Sequence, residues 1–287
     1  MSDLKPHSSE QLVRGRGTAL NPTNRFEQII IEANLDDEEL EPFSEKQILT
    51  QYFRDTSRTI ITTNDSPDIP FEASINPYRG CEHGCVYCYA RPTHEYFGLS
   101  AGLDFESKIF VKEEAALLLR KELSKPNWKP KPLIMSGVTD PYQPIERKLN
   151  ITRGCLEVLS DFRNPVGIIT KNQLVKRDSD LLKHMTAYDG VMVFVSLTTL
   201  DDKLWRKMEP RTSSPQMRLK TIKELHQAGI PVGVMLAPIV PGLTDVEIPV
   251  LLREAAAAGA QSAGYVVLRL PFSVKDLFED WLIRYFP

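Results

Sequence analysis

The segment Asn76–Tyr89, NPYRGCEHGCVYCY, sets Cys81, Cys85 and Cys88 in a Cys-x3-Cys-x2-Cys spacing. Three thiolates on one tight loop can each take a different iron of a 4Fe-4S cubane, which leaves the fourth iron free of protein. Gly80 and Gly84 allow the backbone to turn closely there and to aim amide groups at the sulfurs. One alternative is a zinc ion held by the three cysteines and His83, since zinc accepts a Cys3His shell. Structural zinc loops usually space their ligands as two pairs, and His83 falls between the first two cysteines, where it would strain a tetrahedral site. Three thiols buried without a metal are a further alternative, but this glycine-rich loop has little apolar surface to bury them. The fourth cysteine, Cys155, stands apart in a helical stretch and reads as a buried core residue.

The loop needs elements to hold it. Six repeats of a short apolar run followed by a helical period are visible from Phe71 onward. The six candidate strands are 109–112, 132–136, 166–170, 191–197, 231–236 and 264–268, with amphipathic stretches between them at 113–124, 152–162, 179–186, 215–228 and 245–258, and a further first strand at 71–76 precedes the cysteine loop. Strands alternating with helices imply a parallel sheet covered by helices, because parallel strands need crossover connections. A full eight-fold barrel takes about 250 residues and the regular part is shorter. The expected fold is therefore α/β, a partial (β/α)6 TIM-like barrel with an irregular N-terminal arm, divided as an arm over 1–65 and a barrel domain over 66–287. The arm carries a basic piece at Arg14 to Arg16 and an acidic run at Asp36 to Glu41. Pieces at 28–31 and 59–62 are expected to pair onto the main body. The cysteine loop follows the first strand, and polar residues gather after later ones: Thr139 and Asp140, Lys171 and Asn172, Ser196 and Thr198. In parallel α/β architectures that C-terminal edge is where chemistry is assembled.

Composition narrows the class. The 287 residues are 42% hydrophobic and 25% charged with a net charge of −3, as in an ordinary globular chain, and basic residues are spread rather than gathered into a nucleic-acid footprint. No run approaches the ~18 apolar residues of a membrane helix. The start, MSDLKPHSSEQ, lacks the layout of a secretion signal, so a cytoplasmic location is expected. Four cysteines in such a chain point to metal or catalysis rather than to disulfides.

The cysteine spacing followed by an aromatic, with a strand before it and βα repeats after it, resembles the radical S-adenosylmethionine (SAM) superfamily. Within it the chain is similar to the spore photoproduct lyase-like branch, whose Cys-x3-Cys-x-Tyr-Cys-Tyr arrangement is matched by Tyr87 and Tyr89. The strings RGRGTALNP, TDPYQPIER, ITKN, VSLTTLD, EPRTSSP and APIVPGLTD extend the likeness to an uncharacterised bacterial subgroup across nearly the whole chain. The resemblance implies a 4Fe-4S cluster on Cys81, Cys85 and Cys88, and SAM bound at its open iron and cleaved to a 5′-deoxyadenosyl radical. It implies SAM contacts from Thr139, Asp140, Lys171, Ser196 and the Ala237-Pro238 turn, and places Tyr87 and Tyr89 as catalytic candidates with packing around the cluster as their blander role. It also implies a reductant such as flavodoxin or ferredoxin as partner.

One departure matters. Spore photoproduct lyase has a hydrogen-donating cysteine just before the hydroxyl-acid pair, and Ser136-Gly137-Val138-Thr139-Asp140 has none. Its dimer-cleaving reaction is therefore not carried over, and nucleic acid stays one candidate substrate among others. His94, Glu95, Asp104, Glu106, Gln143 and Glu146 are polar residues that would line a cavity or anchor the loop. Arg211 and Arg218 suit either an anion or helix-surface ion pairs. Two other classes stay open at this point: a nucleic-acid-binding module with a structural cluster or zinc, and an iron-sulfur redox sensor.

Overall fold

The computed structural model describes residues 13–26, 48–64 and 71–287. The strands in chain order are β1 (Gln51–Arg54), β2 (Ile61–Thr63), β3 (Ala73–Ile75), β4 (Tyr78–Arg79), β5 (Lys108–Val111), β6 (Leu133–Met135), β7 (Val166–Thr170), β8 (Val191–Ser196), β9 (Val232–Ile239) and β10 (Ala263–Val267). The α-helices are α1 (Leu103–Ser107), α2 (Ala115–Leu123), α3 (Glu146–Leu149), α4 (Ile151–Asp161), α5 (Ser179–Thr186), α6 (Asp202–Met208), α7 (Pro215–Gln227), α8 (Ile248–Ala258) and α9 (Ser273–Tyr285).

Seven strands form one sheet in the order β10-β9-β8-β7-β6-β3-β2. The six from β3 to β10 run parallel, and β2 adds an antiparallel edge through Ile61↔Ile75. The sheet does not close, which is the partial barrel expected from six βα repeats. Strand composition explains the layering. Val166, Ile168 and Thr170 of β7 and Val191, Val193 and Val195 of β8 are buried, while the residues between them are half-buried. The buried set packs against Leu119 of α2, Leu156 and Leu159 of α4, Leu182 and Met185 of α5, Ile222 and Leu225 of α7, and Leu251 of α8. The core thus lies between sheet and helices. Ile134, Ile169, Met192, Phe194 and Met235 point to the other face, toward the barrel interior.

Local signals set the helix ends. Asp201 caps α6 by accepting from the Lys203 and Leu204 amides at 2.7 and 3.4 Å. Ser214 caps α7 by accepting from the Met217 amide, with Pro215 at its first position.

The run at 109–112 is a strand, as its sequence predicts, but it does not join the barrel. As β5 it pairs in parallel with β1 and antiparallel with β4 in a separate three-stranded sheet. An apolar run dictates a strand and leaves the partner open. Here the partners are an exposed segment and a two-residue extension of the cysteine loop, neither of which carries a barrel pattern. The expected pairing of 59–62 is met by β2, while the piece at 28–31 lies outside the described residues. Among the described residues no helix is long and apolar enough to cross a membrane.

Candidate active site

The cysteine loop leaves β4 at the C-terminal edge of β3. Gly80 and Gly84 adopt φ of 76° and 65°, left-handed values that glycine takes without strain. At Gly84 a side chain would also meet the Glu106 carboxylate at 2.6 Å. Cys81 and Cys85 are buried and Cys88 is half-buried. Cys88 packs with Cys81, Ala90 and Phe105 on one side and with Cys85, Val86 and Tyr87 on the other, so the three thiols share one pocket. Burial pushes all three thiols above the ordinary range, with Asp140 adding to the effect at Cys81 and Glu209 at Cys85. A thiolate set in such a place calls for a cation close by.

Buried polar groups hold the loop from four directions. Glu82, between the first two cysteines, accepts from the Ile145 amide at 3.0 Å through one oxygen and from Tyr52, Thr50 and Arg211 through the other. Gln143 accepts from the Glu82 amide at 3.0 Å and donates to the Gly80 carbonyl. Glu106 pairs with Arg91 at 2.5 Å, both wholly buried, and accepts from the Gly17 amide at 2.8 Å. The arm approaches so closely there that a side chain at Gly17 would lie 1.7 Å from the Gly84 carbonyl oxygen. Glu209 receives Tyr87, Thr198 and Arg218. Burial alone would raise the Glu209 carboxyl, but Arg218 and Lys171 override it and hold it at about 2.

The predicted cofactor-binding residues are placed at successive strand ends. Thr139 donates to the Gly80 carbonyl at 2.6 Å and accepts from Gln143, which turns its hydroxyl onto the loop. Asp140 receives the Tyr142 amide and Thr170 hydroxyl on one oxygen, and the Lys171 amide and His83 on the other. Its four acceptor positions are filled by protein, so this carboxylate orders its neighbours. Burial acts to raise Asp140, and His83 with the other donors holds it below the ordinary carboxylate range instead. Lys171 extends to 3.3 Å from the Ala237 carbonyl and lies 5.8 Å from the Tyr87 ring centroid. Ser196 is the buried last residue of β8. Ala237 and Pro238 lie within β9 rather than in a turn after it, joined by a cis peptide bond.

The two tyrosines part company. Tyr87 is buried with its hydroxyl on Glu209, while Tyr89 is 59% exposed with its hydroxyl on the Gly137 carbonyl at 2.6 Å. Arg218 is 1% exposed on Glu209, so the sequence reading of an anion site there gives way to a buried ion pair. His94 and Glu95 are buried beneath the loop, where His94 meets the Lys108 carbonyl and Glu95 pairs with Arg25, so they anchor it. Sequence reasoning missed Glu209 and left Glu82 unremarked. The signal available for Glu82 was an acidic residue set between two cysteines.

The donor set separates the metal alternatives. Both ring nitrogens of His83 are engaged, Nδ1 at 3.3 Å from Asp140 and Nε2 at 3.2 Å from Asn172, so the zinc alternative loses its fourth ligand. Among the described residues no group of three or more His, Cys, Asp or Glu is gathered to hold one metal ion. A cubane does not ask for that gathering, because each thiol meets a different iron. Three soft donors in one pocket fit a cubane.

An open parallel barrel with a thiol-bearing loop at its C-terminal edge defines the α/β class of enzyme folds. The sequence pattern of the radical SAM superfamily matches residues 75–255, and the chain belongs to that superfamily, whose members bind a 4Fe-4S cluster and SAM. An uncharacterised protein of Mycobacterium tuberculosis is 39% identical over 221 residues, covering 76% of this chain and 65% of its own length. A radical SAM Nalpha-GlyT isomerase of Pseudomonas phage M6 is 30% identical over 185 residues, covering 64% of this chain and 36% of its own. The chain thus spans about 65% of the length of the mycobacterial relative. A spore photoproduct lyase mutant with bound AdoMet and dinucleoside spore photoproduct superposes with a TM-score of 0.60 at 18% identity, over 82% of this chain and 65% of the other, and shares the fold.

Proposed function

We propose that Cys81, Cys85 and Cys88 hold the 4Fe-4S cluster and that the barrel mouth above them binds SAM for hydrogen abstraction from a substrate. Three thiols gathered on one loop, two of them buried and Cys88 half-buried, with the neighbouring histidine turned onto Asp140 and Asn172, are the observation that carries it. When bound, the cluster supplies the electron that cleaves SAM to a 5′-deoxyadenosyl radical. This chain's own part is to bind, orient and exclude water. Lys171 offers the SAM carboxylate a cation whose position is set by Tyr87 and the Ala237 carbonyl. Ser196 and the Ala237-Pro238 stretch give that ligand a hydroxyl and backbone polar groups at adjacent strand ends. Thr139 and Asp140 act one step back, the first fixing the loop at Gly80 and the second fixing the Lys171 backbone and His83. Tyr87, joined to Glu209 and Arg218, forms the dry wall beside Cys85. Tyr89 stands on the rim, where a substrate reaches it. In the proposed division, residues 66–287 carry this chemistry and residues 1–65 form an arm whose described Gly17 and Thr50 bond the loop's supports Glu106 and Glu82.

All four cysteines are accounted for, with Cys155 wholly buried in the core behind the sheet. Among the described residues no fourth thiol stands at the barrel mouth to quench a product radical, a point of difference from thiol-terminated repair of a nucleotide dimer. The substrate class proposed is accordingly one whose product radical is resolved without a protein thiol, with the electron supplied by a flavodoxin- or ferredoxin-like donor. Electron paramagnetic resonance of the anaerobically reconstituted, reduced chain tests the assignment. The cluster signal should shift on adding SAM, and an unshifted signal would mean that the fourth iron is closed to it.

A further inference from the structure

Outside this pocket, arginines from distant parts of the chain meet. Arg14, Arg16 and Arg211 line a cavity of about 290 Å³ together with Thr50. Arg16 is tied down by three oxygens, the Glu106 carbonyl at 2.5 Å, the Ile48 carbonyl at 2.7 Å and the Thr50 hydroxyl at 3.0 Å. All three are neutral, so no carboxylate bonds this guanidinium directly. Arg211 reaches Glu82 at 3.3 Å and Thr50 at 3.4 Å. Glu82 is shared with Tyr52, Thr50 and the Ile145 amide. Arg14 is exposed and takes no partner among the described residues. Three guanidiniums therefore face the cavity with one carboxylate in direct contact, a surplus of two positive charges. Burial and the nearby Arg211 depress the Arg16 pKa, outweighing the opposing pull of Glu106 and Glu82.

We propose that this cavity is a binding site for a phosphate group. Guanidinium forks match phosphate oxygens in pairs, and a phosphomonoester carries about 1.5 to 2 negative charges, enough to balance the surplus that a carboxylate would only halve. The Thr50 hydroxyl accepts from Arg16 and Arg211 and donates to Glu82, so it holds the two forks in register. The site adjoins the cysteine loop directly, because the Arg211 amide donates to the His83 carbonyl at 3.3 Å and its side chain holds Glu82. A ligand anchored there by its phosphate is held against the loop that carries the three thiols. This inference goes beyond the radical chemistry and does not depend on it.

Calorimetric titration of the full chain with inorganic phosphate at low salt tests the site. Saturable binding at one site per chain is expected, tighter than for acetate. Arg14→Ala should weaken it about tenfold and Arg14→Glu should abolish it. Arg14 is exposed, so both variants should melt as the wild type does. A thymidine dinucleotide with and without a 5′-phosphate then identifies the source. Competition by the phosphorylated form alone assigns a terminal phosphate, and equal competition by both assigns a backbone phosphodiester. Absence of saturable binding, equal affinity for acetate, or indifference to Arg14→Glu would overturn the proposal. Release of 5′-deoxyadenosine is a separate readout, so failure here leaves the cluster assignment standing, and the reverse holds too.

Discussion

The cysteine loop and the far edge of the sheet are built by opposite rules. Around the loop, Glu82, Glu106, Glu209 and Asp140 are buried, and each is met by cations or hydrogen-bond donors. Among the described residues β10 pairs only with β9, and Tyr265 and Val267 are 70% and 50% exposed. Burying a charge is costly unless it is paired and hydrogen-bonded, so such a density of paired charges marks the place where geometry must not drift. An edge strand fixed mainly by ladder hydrogen bonds carries no such demand. Placement of the thiols is thus determined by polar contacts that cross the chain, and placement of the edge by local pairing.

The contrast breaks most sharply at Glu209 and Arg218. Arg218→Ala or Glu209→Ala leaves a wholly buried charge alone and should cost about 3–5 kcal/mol, read by urea unfolding. The same carboxylate sets an acid limit. Its folded pKa of about 2 lies below the ordinary glutamate value of 4.5, so its contribution to stability is full above pH 4.5 and is lost as pH falls toward 2. Glu209→Gln should therefore flatten that limb of the stability profile between pH 4.5 and 2. Gly17→Ala should come next. Its methyl meets the Gly84 carbonyl, a contact that only backbone movement relieves, at a cost of about 1–3 kcal/mol and with reduced iron retention after reconstitution.

Smaller effects sharpen the picture. Tyr87→Phe removes one buried donor from Glu209 and should cost about 1–3 kcal/mol, whereas Tyr89→Phe, losing an exposed contact to Gly137, should cost under about 1 kcal/mol. Tyr265→Ser on β10 should stay within about 0.5 kcal/mol. Equal costs for Tyr87→Phe and Tyr265→Ser in the same unfolding series would erase the distinction between the two regions.

The thiols, the strand ends and the six βα repeats were legible because each is written locally, as a spacing or a period. The supports of the loop were not, because their partners are far apart in the chain. Tyr87 meets Glu209 across 122 residues and Gly17 meets Glu106 across 89. No spacing rule connects such pairs. The strand at 109–112 was legible as an element but not as a member of the side sheet, since its partner β1 is exposed along its length and carries no buried pattern. Asp140 was legible as an acidic strand-end residue, while its full set of four protein donors becomes visible only when the Lys171 backbone and His83 are brought beside it.

Anaerobic reconstitution with iron, sulfide and dithionite, followed by assay of 5′-deoxyadenosine from SAM, tests the central claim most directly. The wild-type chain should retain about four irons and release 5′-deoxyadenosine, and replacing Cys81, Cys85 or Cys88 singly by Ala should abolish that release. A single zinc in place of iron, or release that persists without these cysteines, would contradict it.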